Sequence, residues 1–475
     1  MASASKSAIG LIGLAVMGQN LALNVASKGF PISVWNRSHE KTVATVERAK
    51  EEKVGGLLHG FEKIEEFVAS LQTPRAVIIL VQAGKPVDAV IQHLSGLLEP
   101  GDLIIDGGNE WYTNTQRRAE EVKAKGLLYM GMGVSGGEEG ARHGPSLMPG
   151  GPKEAYERVK PILLKISAQV DSGPCVTWIG EGGAGNYVKM IHNGIEYGDM
   201  QLIAEAYDVL KNVGGLTNDE LAAAFAEWNA TELESFLIEI TARIFTKKEE
   251  DGKFIVDAIL DKTGQKGTGR WTVQEAAELG VPVPTISAAL DARNLSSMLD
   301  ERRSANKVLH GPALQQGGVD KAQLVKDVKG ALYAAKICSY AQGMNLIRAA
   351  GAKNGWNLQL GEIARIWKGG CIIRARFLDR IKKAYDRSGE LPSLLVDPEF
   401  AAEMNERQSA LRSVVTLAIS RGVSTGAFSA SLAYYDSYRR DRLPANLTQA
   451  QRDYFGAHTY ERTDKQGSFH TEWAQ

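Results

Sequence analysis

The fold of the first part of the chain is decided by the stretch Ala8-Ile-Gly-Leu-Ile-Gly-Leu-Ala-Val-Met-Gly18. It predicts an apolar strand over Ala8–Leu14 that turns directly into a helix. Gly13 allows the tight turn, Ala15 lets a pyrophosphate approach the backbone, and Gly18 lets helix and strand pack closely. Free N–H groups at the start of such a helix bind phosphate. The stretch therefore predicts a dinucleotide site, with a plain structural turn as the alternative.

The residues that follow alternate short β-rich runs with helical patterns up to about residue 180. This alternation predicts a Rossmann-like α/β domain with a doubly wound parallel sheet. The segment 144–151 (GPSLMPGG) is expected to be a rigid, irregular loop. Further strands are predicted at Ile32–Trp35, Ala76–Val81, Leu103–Asp106, Leu127–Met130 and Val176–Ile179, and helices at Gln19–Ser27, His39–Glu51, Val87–Leu97 and Gln116–Ala124.

The chain changes character from Gly185 onward. Ala- and Leu-rich stretches with helical apolar spacing continue to about Arg440 and predict a large all-α domain, with helices that include Asn186–Val213, Asn218–Ala230 and Val328–Gly351. From Leu443 the sequence is polar and aromatic with little periodicity, which indicates a tail that needs a surface to pack against. We expect domains at residues 1–182 and 183–440, followed by a tail at 441–475.

Composition narrows the class of protein. The chain has 475 residues, of which 44% are hydrophobic and 23% charged, an ordinary balance for a globular protein. A formal net charge of -1 argues against nucleic-acid or membrane-surface partners. Apolar runs are strand-sized, far short of a bilayer span. Cys175, Cys338 and Cys371 are widely spaced and the histidines are scattered, so no metal site is predicted.

The end of the second predicted strand identifies the cofactor. An NAD site would carry an acidic residue there to bind the ribose hydroxyls, but the chain has Asn36-Arg37-Ser38. Because an arginine flanked by Asn and Ser suits a ribose 2′-phosphate, we expect NADP. A second glycine motif, Gly180-x-Gly182-x-x-Gly185, continues into one long helix and is expected to be a close-approach hinge leading into it.

That long helix carries four polar side chains on one face. Lys189, His192, Asn193 and Glu196 lie at offsets of three, four and seven residues. We interpret them as a base and an acid directed at one substrate. The alternatives are a solvated charged face or a surface ion pair.

Two polar loops are expected beside this helix. Asp106-Gly-Gly-Asn109 and Gly133-Val-Ser-Gly-Gly137 each follow a predicted strand. Ligands of open α/β sheets bind at the carboxyl ends of the strands, so these loops are candidate binding elements. Ordinary turns are the alternative for each loop taken alone.

Together these residues resemble the 6-phosphogluconate dehydrogenases. The resemblance spans nearly the whole chain in order, and the segment DGGNE at 106–110 is most similar to the plant-type branch. It rests on GLAVMGQNL at 13–21, VSGGEEGA at 134–141, KMIHNGIEYGDMQ at 189–201, QKGTGRW at 265–271 and LPANLTQAQRDYFGAHTY at 443–460.

The resemblance implies a reaction without a metal. 6-Phosphogluconate would be oxidised and decarboxylated to ribulose 5-phosphate and carbon dioxide, and NADP would be reduced, as in the oxidative pentose phosphate pathway. Lys189 would be the general base that takes the proton of the carbon-3 hydroxyl. Glu196 would be the general acid that protonates carbon 1 of the enediol.

The resemblance also implies a binding site shared between the subunits of a homodimer. The sugar acid would be bound by Asn109, Ser135, Gly136, Gly137, His192 and Asn193. Its phosphate would be bound by Tyr197, Lys266, Thr268 and Arg293, with Arg452 and His458 supplied by the tail of the partner subunit. The cofactor would contact Gly13, Leu14, Ala15, Val16, Met17, Gly18, Asn36, Arg37, Ser38, Val81, Gln82, Ala83 and Asn109.

Two positions depart from the family pattern. Gln82 stands where the family usually has lysine, and Arg270 replaces the last lysine of the QKGTGK pattern. Other β-hydroxyacid dehydrogenases and a non-catalytic NADP-binding protein are the rival interpretations. We expect a cytoplasmic protein by default, with the chloroplast stroma as the alternative because the sequence is plant-like.

Overall fold

The computed structural model describes residues 6–313 and 317–473. Its N-terminal part is built on one seven-stranded sheet with the order β3-β2-β1-β4-β5-β6-β7. The first six strands are parallel, and β7 runs antiparallel to β6. The strands are β1 (Ile9–Ile12), β2 (Ile32–Trp35), β3 (Leu58–Gly60), β4 (Ala76–Ile79), β5 (Leu103–Asp106), β6 (Leu128–Ser135) and β7 (Ser146–Gly150).

Helices cover both faces of this sheet. In β4 and β5, Val77 and Ile104 belong to one apolar layer, whereas Ile78 and Ile105 belong to the other. Strands buried on both faces are typical of a parallel sheet, so the predicted doubly wound domain is confirmed. The helices are α1 (Val16–Ser27), α2 (His39–Glu51), α3 (Ile64–Ala69), α4 (Lys85–Ser95), α5 (Tyr112–Lys123), α6 (Gly137–His143) and α7 (Lys153–Ile166).

The edge of the sheet differs from the prediction. Val176–Ile179 was expected to be a strand, but only Val176 pairs, in a single bridge to Leu147. The edge strand is β7, in the segment expected to be an irregular loop. A parallel crossover needs a dozen or more residues, and the short connection through α6 is too brief, so the next strand returns antiparallel.

Two further strands were predicted incorrectly. β6 continues to Ser135 rather than ending at Met130, so Gly133, Val134 and Ser135 are strand residues and not a loop. Its glycines resemble loop glycines in sequence but serve a close contact with a helix, described below. β3 was missed because it is only three residues long.

The second part of the chain is helical. Its central element, α8 (Ala184–Asp208), continues as a π-helical turn over Val209–Val213. The two together cover the helix predicted at Asn186–Val213. The long α15 begins at Lys321 rather than Val328 and packs against α8. A hairpin of β8 (Gln169–Val170) and β9 (Gly173–Pro174) precedes α8. The other helices are α9 (Asn218–Trp228), α10 (Phe236–Ile244), α11 (Ile255–Ala258), α12 (Thr268–Glu278), α13 (Pro284–Ser297), α14 (Leu299–Ala305), α15 (Lys321–Asn354), α16 (Leu360–Ile366), α17 (Phe377–Arg387), α18 (Pro398–Ser420) and α19 (Gly426–Tyr438), with a 3-10 turn at Leu394–Val396.

The tail has more structure of its own than its weak periodicity indicated. It forms α20 (Ala445–Gly456) and a hairpin of β10 (Tyr460–Glu461) and β11 (Ser468–Phe469). The buried carboxylate of Asp453 joins them, because it accepts hydrogen bonds from the backbone of Thr459 and Thr471 and from the indole of Trp473. Among residues 6–313 and 317–473, no helix is both long enough and apolar enough to cross a membrane.

Candidate active site

Glycines let the helix α8 lie directly on the edge of the sheet. A Cβ added to Gly133 of β6 would lie 2.4 Å from the Cβ of Lys189, and one on Gly150 of β7 would lie 2.3 Å from the nitrogen of Gly185. Non-bonded heavy atoms do not approach each other this closely in a folded protein, so a side chain cannot be accommodated and both positions require glycine. The predicted close approach at Gly185 is thus confirmed, and Lys189 is held against the carboxyl half of β6.

This contact gives a first prediction. We expect Gly133→Ala to push α8 away from β6, which lowers the free energy of unfolding by about 1–3 kcal/mol and also lowers kcat. Urea unfolding followed by circular dichroism, together with steady-state kinetics, measures both effects. Gly56→Ala is the matched control, since nothing lies within 4 Å of a Cβ at Gly56. Equal stability and kcat in the two variants would contradict the proposed packing.

The four polar side chains predicted on one face of α8 form a single cluster. Lys189 Nζ donates to Asn193 Oδ1 at 2.6 Å and lies 3.5 Å from His192 Nδ1. His192 Nδ1 lies 3.0 Å from Asn193 Oδ1 and 3.9 Å from Glu196 Oε2, and its Nε2 lies 3.4 Å from Ser135 Oγ. Lys189 and His192 are only 6% and 0% exposed, which excludes the solvated charged face.

Burial shifts the ionisation of this cluster. It lowers the pKa of Lys189 from its ordinary value, so the free amine that a base requires becomes more accessible. Burial raises the pKa of Glu196, although Lys189 and Arg293 oppose that rise. Burial and the charge of Lys189 both lower the pKa of His192 well below its ordinary value. The cluster thus favours a neutral imidazole, a lysine able to accept a proton and a glutamic acid able to donate one.

A cavity of about 530 Å³ opens onto this face of α8. Its walls come from the loop after β5, the end of β6, the segment before α12, and α13. It brings together eleven of the predicted catalytic and substrate-binding residues, and its lining is Met17, Asn109, Val134, Ser135, Gly136, Gly137, Lys189, Asn193, Glu196, Tyr197, Gly264, Gln265, Lys266, Thr268, Arg293 and Ile372.

One end of the cavity is basic. The guanidinium of Arg293 stacks over the ring of Tyr197 at 3.6 Å and donates to the carbonyl of Gly264. Thr268 Oγ1 accepts from Asn193 Nδ2 at 3.1 Å, and Lys266 is exposed nearby. Because the chain as a whole has a charge of only -1, such a local cluster of cations and hydroxyls is what a phosphate group requires.

A second cleft, of about 460 Å³, lies at the glycine turn after β1. Gly13 has a φ of +98°, and a Cβ there would lie 2.3 Å from the carbonyl oxygen of Leu80. A Cβ on Gly18 would lie 1.8 Å from the carbonyl oxygen of Gly13. Glycine is therefore required at both positions, and the turn leaves room for a dinucleotide. The lining is Ile12, Gly13, Ala15, Trp35, Asn36, Arg37, Ser38, Lys41, Ile64, Leu80, Val81, Gln82, Pro86, Ala89, Val90 and His93.

The end of β2 is arranged for a ribose phosphate. Asn36 Oδ1 accepts from the backbone nitrogen of Leu14 at 2.9 Å, which fixes the Asn36 side chain beside the glycine turn. Arg37 and Ser38 are exposed at the mouth of the cleft. The residues that line this cleft thus fit NADP, because Arg37 and Lys41 provide cations near the end of β2.

Some predicted residues lie elsewhere. Arg452 and His458 are exposed on the tail and line neither cavity. His192 is buried beneath the substrate cavity, and Met17 faces that cavity instead of the nucleotide cleft. The predicted cofactor residues Leu14, Val16, Gly18, Ala83 and Asn109 do not line the nucleotide cleft, and Asn109 lines only the other cavity.

Sequence reasoning missed several lining residues. Ile372 reaches the substrate cavity from the loop between α16 and α17, and Lys41 and His93 reach the nucleotide cleft from α2 and α4. Lys41 lies in the first turn of α2, directly after Arg37 and Ser38, and this position could have indicated it. No periodicity or motif distinguishes Ile372 from the apolar residues around it.

Comparison with known proteins covers both parts of the chain. Residues 8–180 match the family described as NAD binding domain of 6-phosphogluconate dehydrogenase, and residues 185–473 match 6-phosphogluconate dehydrogenase, C-terminal domain.

Relatives match over nearly the full length. A 6-phosphogluconate dehydrogenase, decarboxylating 2, of Arabidopsis thaliana is 68% identical over 98% of this chain and 97% of its own. A chloroplastic form from the same plant is 65% identical over 100% and 99%. The Plasmodium falciparum 6-phosphogluconate dehydrogenase, solved in its apo form, with its cofactor NADP+ and with its substrate 6-phosphogluconate, has a TM-score of 0.94 at 51% identity and covers 98% of this chain and 100% of that one.

Proposed function

This chain belongs to the 6-phosphogluconate dehydrogenase family and oxidises and decarboxylates 6-phosphogluconate with NADP, and we propose that Lys189 and Glu196 are its general base and general acid. The reaction belongs to the oxidative pentose phosphate pathway. The observation that carries the proposal is a buried lysine and a half-buried glutamate that line one cavity, one end of which is basic. Measuring NADPH absorbance and carbon dioxide release with 6-phosphogluconate and NADP, against NAD and 3-hydroxyisobutyrate as controls, tests the activity.

Lys189 acts first. Its free amine takes the proton of the carbon-3 hydroxyl, while bound NADP supplies the hydride acceptor. Asn193 accepts a hydrogen bond from Lys189 Nζ and so holds the amine in place. The ketone formed at carbon 3 is β to the carboxylate, and such an acid loses carbon dioxide once its ketone oxygen is stabilised. Protonated Lys189 donates to that oxygen as the enediol forms.

Glu196 completes the reaction. Because burial raises its pKa, the carboxyl can hold a proton and deliver it to carbon 1 of the enediol, which gives ribulose 5-phosphate. Ser135, Gly136, Gly137 and Asn109 bind the sugar acid in this proposal, and His192 orients Ser135. Tyr197, Lys266, Thr268 and Arg293 bind the phosphate.

The preference for NADP gives a second prediction. We expect Arg37→Ala to lower kcat/KM for NADP by about 10- to 150-fold, because a hydrogen-bonded charge pair is lost. Activity with NAD, which has no 2′-phosphate, should change little. Steady-state kinetics with both cofactors measures the ratio, and NAD activity serves as the internal control. An unchanged ratio would assign the 2′-phosphate to another group.

Exposed apolar side chains lie on the tail and on the segment after α14. On the tail, Leu447, Tyr454 and Phe455 are 62%, 64% and 72% exposed, and on the body Val308 and Leu309 are 69% and 71% exposed. Clusters of this kind mark interaction sites. We propose a homodimer in which the tail of each subunit brings Arg452 and His458 to the partner's cavity, with residues 1–182, 183–440 and 441–475 as the units of the chain.

Mixing two inactive variants gives a third prediction. Lys189→Met lacks the base but has an intact tail, whereas Arg452→Ala has an intact base but a defective tail. If each site combines one subunit's cavity with the partner's tail, unfolding and refolding an equal mixture restores about one quarter of the wild-type sites, since half the dimers are mixed and half their sites are intact.

The controls for this experiment are each variant refolded alone and sedimentation of all samples. Activity no greater than the sum of the two variants, in dimers that have exchanged subunits, would contradict a shared site.

The relatives include chloroplastic forms and forms whose names state no compartment. We propose the cytoplasm as the compartment of this protein and the chloroplast stroma as the alternative, which cell fractionation decides.

A further inference from the structure

A largely buried cluster of charges lies between loops that line the two cavities, and none of its charged residues lines either cavity. At its centre is Arg118 of α5, whose side chain is 1% exposed. Its Nη1 donates to Glu110 Oε2 at 2.6 Å, its Nη2 donates to the carbonyl of Gly84 at 2.9 Å, and its Nε donates to Asp88 Oδ1 at 2.7 Å. Asp106 Oδ2 lies 3.4 Å from Nη1. One guanidinium therefore contacts four residues, which are Gly84 and Asp88 at the start of α4, Asp106 at the end of β5 and Glu110 in the loop after β5.

Glu110 uses all of its acceptor capacity. Its Oε2 accepts from the backbone nitrogen of Gly84 at 2.8 Å as well as from Arg118. Its Oε1 accepts from the backbone nitrogen of Trp111 at 2.9 Å and from Asn114 Nδ2 at 3.0 Å. The backbone N–H and C=O of Gly84 are thus both bound by the same ion pair.

The two loops that this pair joins serve different ligands. Gly84 ends the loop after β4, which carries Val81 and Gln82 into the nucleotide cleft. Glu110 immediately follows Asn109, which lines the substrate cavity. A displacement of either loop therefore changes the bonds made by the other.

The substrate loop is also tied to α8. The backbone nitrogen of Gly108 donates to Asp106 Oδ1 at 3.0 Å, and its carbonyl accepts from Asn186 Nδ2 at 3.2 Å. Asn186 lies on α8 one turn before Lys189. The cluster thus connects the nucleotide loop, the substrate loop and the helix that carries the base, through contacts that are buried or partly buried.

We propose that Arg118 and Glu110 are positioning residues that couple the two binding sites, so that the cofactor at the loop after β4 raises the affinity of the cavity for the sugar acid, and the sugar acid raises the affinity for the cofactor to the same degree. The proposal rests on the function proposed above. A buried ion pair contributes little net stability compared with apolar packing, whereas a rigid link between two loops transmits a change of position. The reciprocity follows from thermodynamic linkage.

The test is the affinity for 6-phosphogluconate with and without saturating NADPH, measured by isothermal titration calorimetry on the intact protein. NADPH fills the cleft without permitting turnover. We expect wild type to bind 6-phosphogluconate about fivefold or more tightly in the presence of NADPH, within the usual range of coupling between sites. A merely structural role of the pair would weaken both affinities and leave their ratio unchanged.

Glu110→Gln is the main variant. A carboxamide has one acceptor oxygen, so it leaves either the Gly84 and Arg118 donors or the Trp111 and Asn114 donors without a partner. We expect the ratio of affinities to fall towards one. Glu120→Gln is the matched control, because it makes the same change of side chain at an exposed position of α5. It should keep the wild-type ratio.

Asp88→Asn provides a second route if Glu110→Gln does not fold. Asp88 is 39% exposed, so its substitution loosens Arg118 without leaving a buried charge, and it too should reduce the ratio. A wild-type ratio of one, or a wild-type ratio retained in a folded variant at Glu110 or Asp88, overturns the proposal. Absence of turnover in wild type would overturn the proposed function instead, so the two failures are distinguishable.

Discussion

Replacing Lys189 by methionine lowers the turnover of 6-phosphogluconate by about 10²- to 10⁴-fold, the range expected when a general base is removed. Methionine fills a similar volume in a site that is already buried, so the fold and the nucleotide cleft remain. Absorbance of NADPH measures turnover, and equilibrium binding of NADPH confirms that the cleft is intact.

The matched control is Lys165→Met, on the exposed side of α7. It removes the same charge far from the cavity and should leave kcat unchanged. If Lys189→Met folds, binds NADPH and retains wild-type turnover, another group takes the carbon-3 proton. The non-catalytic interpretation is excluded by turnover in wild type itself.

Replacing Glu196 by glutamine has a comparably large effect, about 10²- to 10⁴-fold on complete turnover, but at a later step. The amide has the same shape and no acidic proton, so hydride transfer and loss of carbon dioxide proceed while protonation of carbon 1 is slow. Rapid mixing should therefore give a burst of NADPH followed by a slow steady state. Glu154→Gln, at an exposed position of α7, is the control. Steady turnover at the wild-type rate without a burst would remove Glu196 from the acid role.

The pH profile checks both assignments. Lys189 must be deprotonated to accept a proton, so activity is lost as the pH falls through its pKa, which burial lowers. Glu196 must be protonated to donate, so activity is lost as the pH rises through its pKa, which burial raises. Both limbs should therefore lie displaced from the ordinary values towards neutral pH. The residual activity of Glu196→Gln should lack the alkaline limb, and a limb that persists there belongs to a different group.

The sequence allowed the nucleotide turn and the polar face of α8 to be predicted because each depends on local rules. Gly13 and Gly18 have a fixed spacing around one turn, and the offsets of Lys189 and Glu196 follow from helical periodicity. Elements that depend on long-range packing were not predictable. β7 forms because α6 is too short for a crossover, and Ile372 reaches the cavity only because the helical part folds back over β6 and β7.

The close approach of α8 to the sheet bears on how the enzyme can be redesigned. Lys189 lies directly against β6 at Gly133, where no side chain can be accommodated, whereas Lys266, Thr268 and Arg293 lie in the segment before α12, at the start of α12 and on α13. Apart from Tyr197, which lies on α8 with Lys189, the residues proposed to bind the phosphate are thus carried by other elements than the proposed base. Substitutions at Lys266, Thr268 and Arg293 should therefore direct the enzyme to sugar acids that lack a phosphate, while the positions of Lys189 and Glu196 are unchanged.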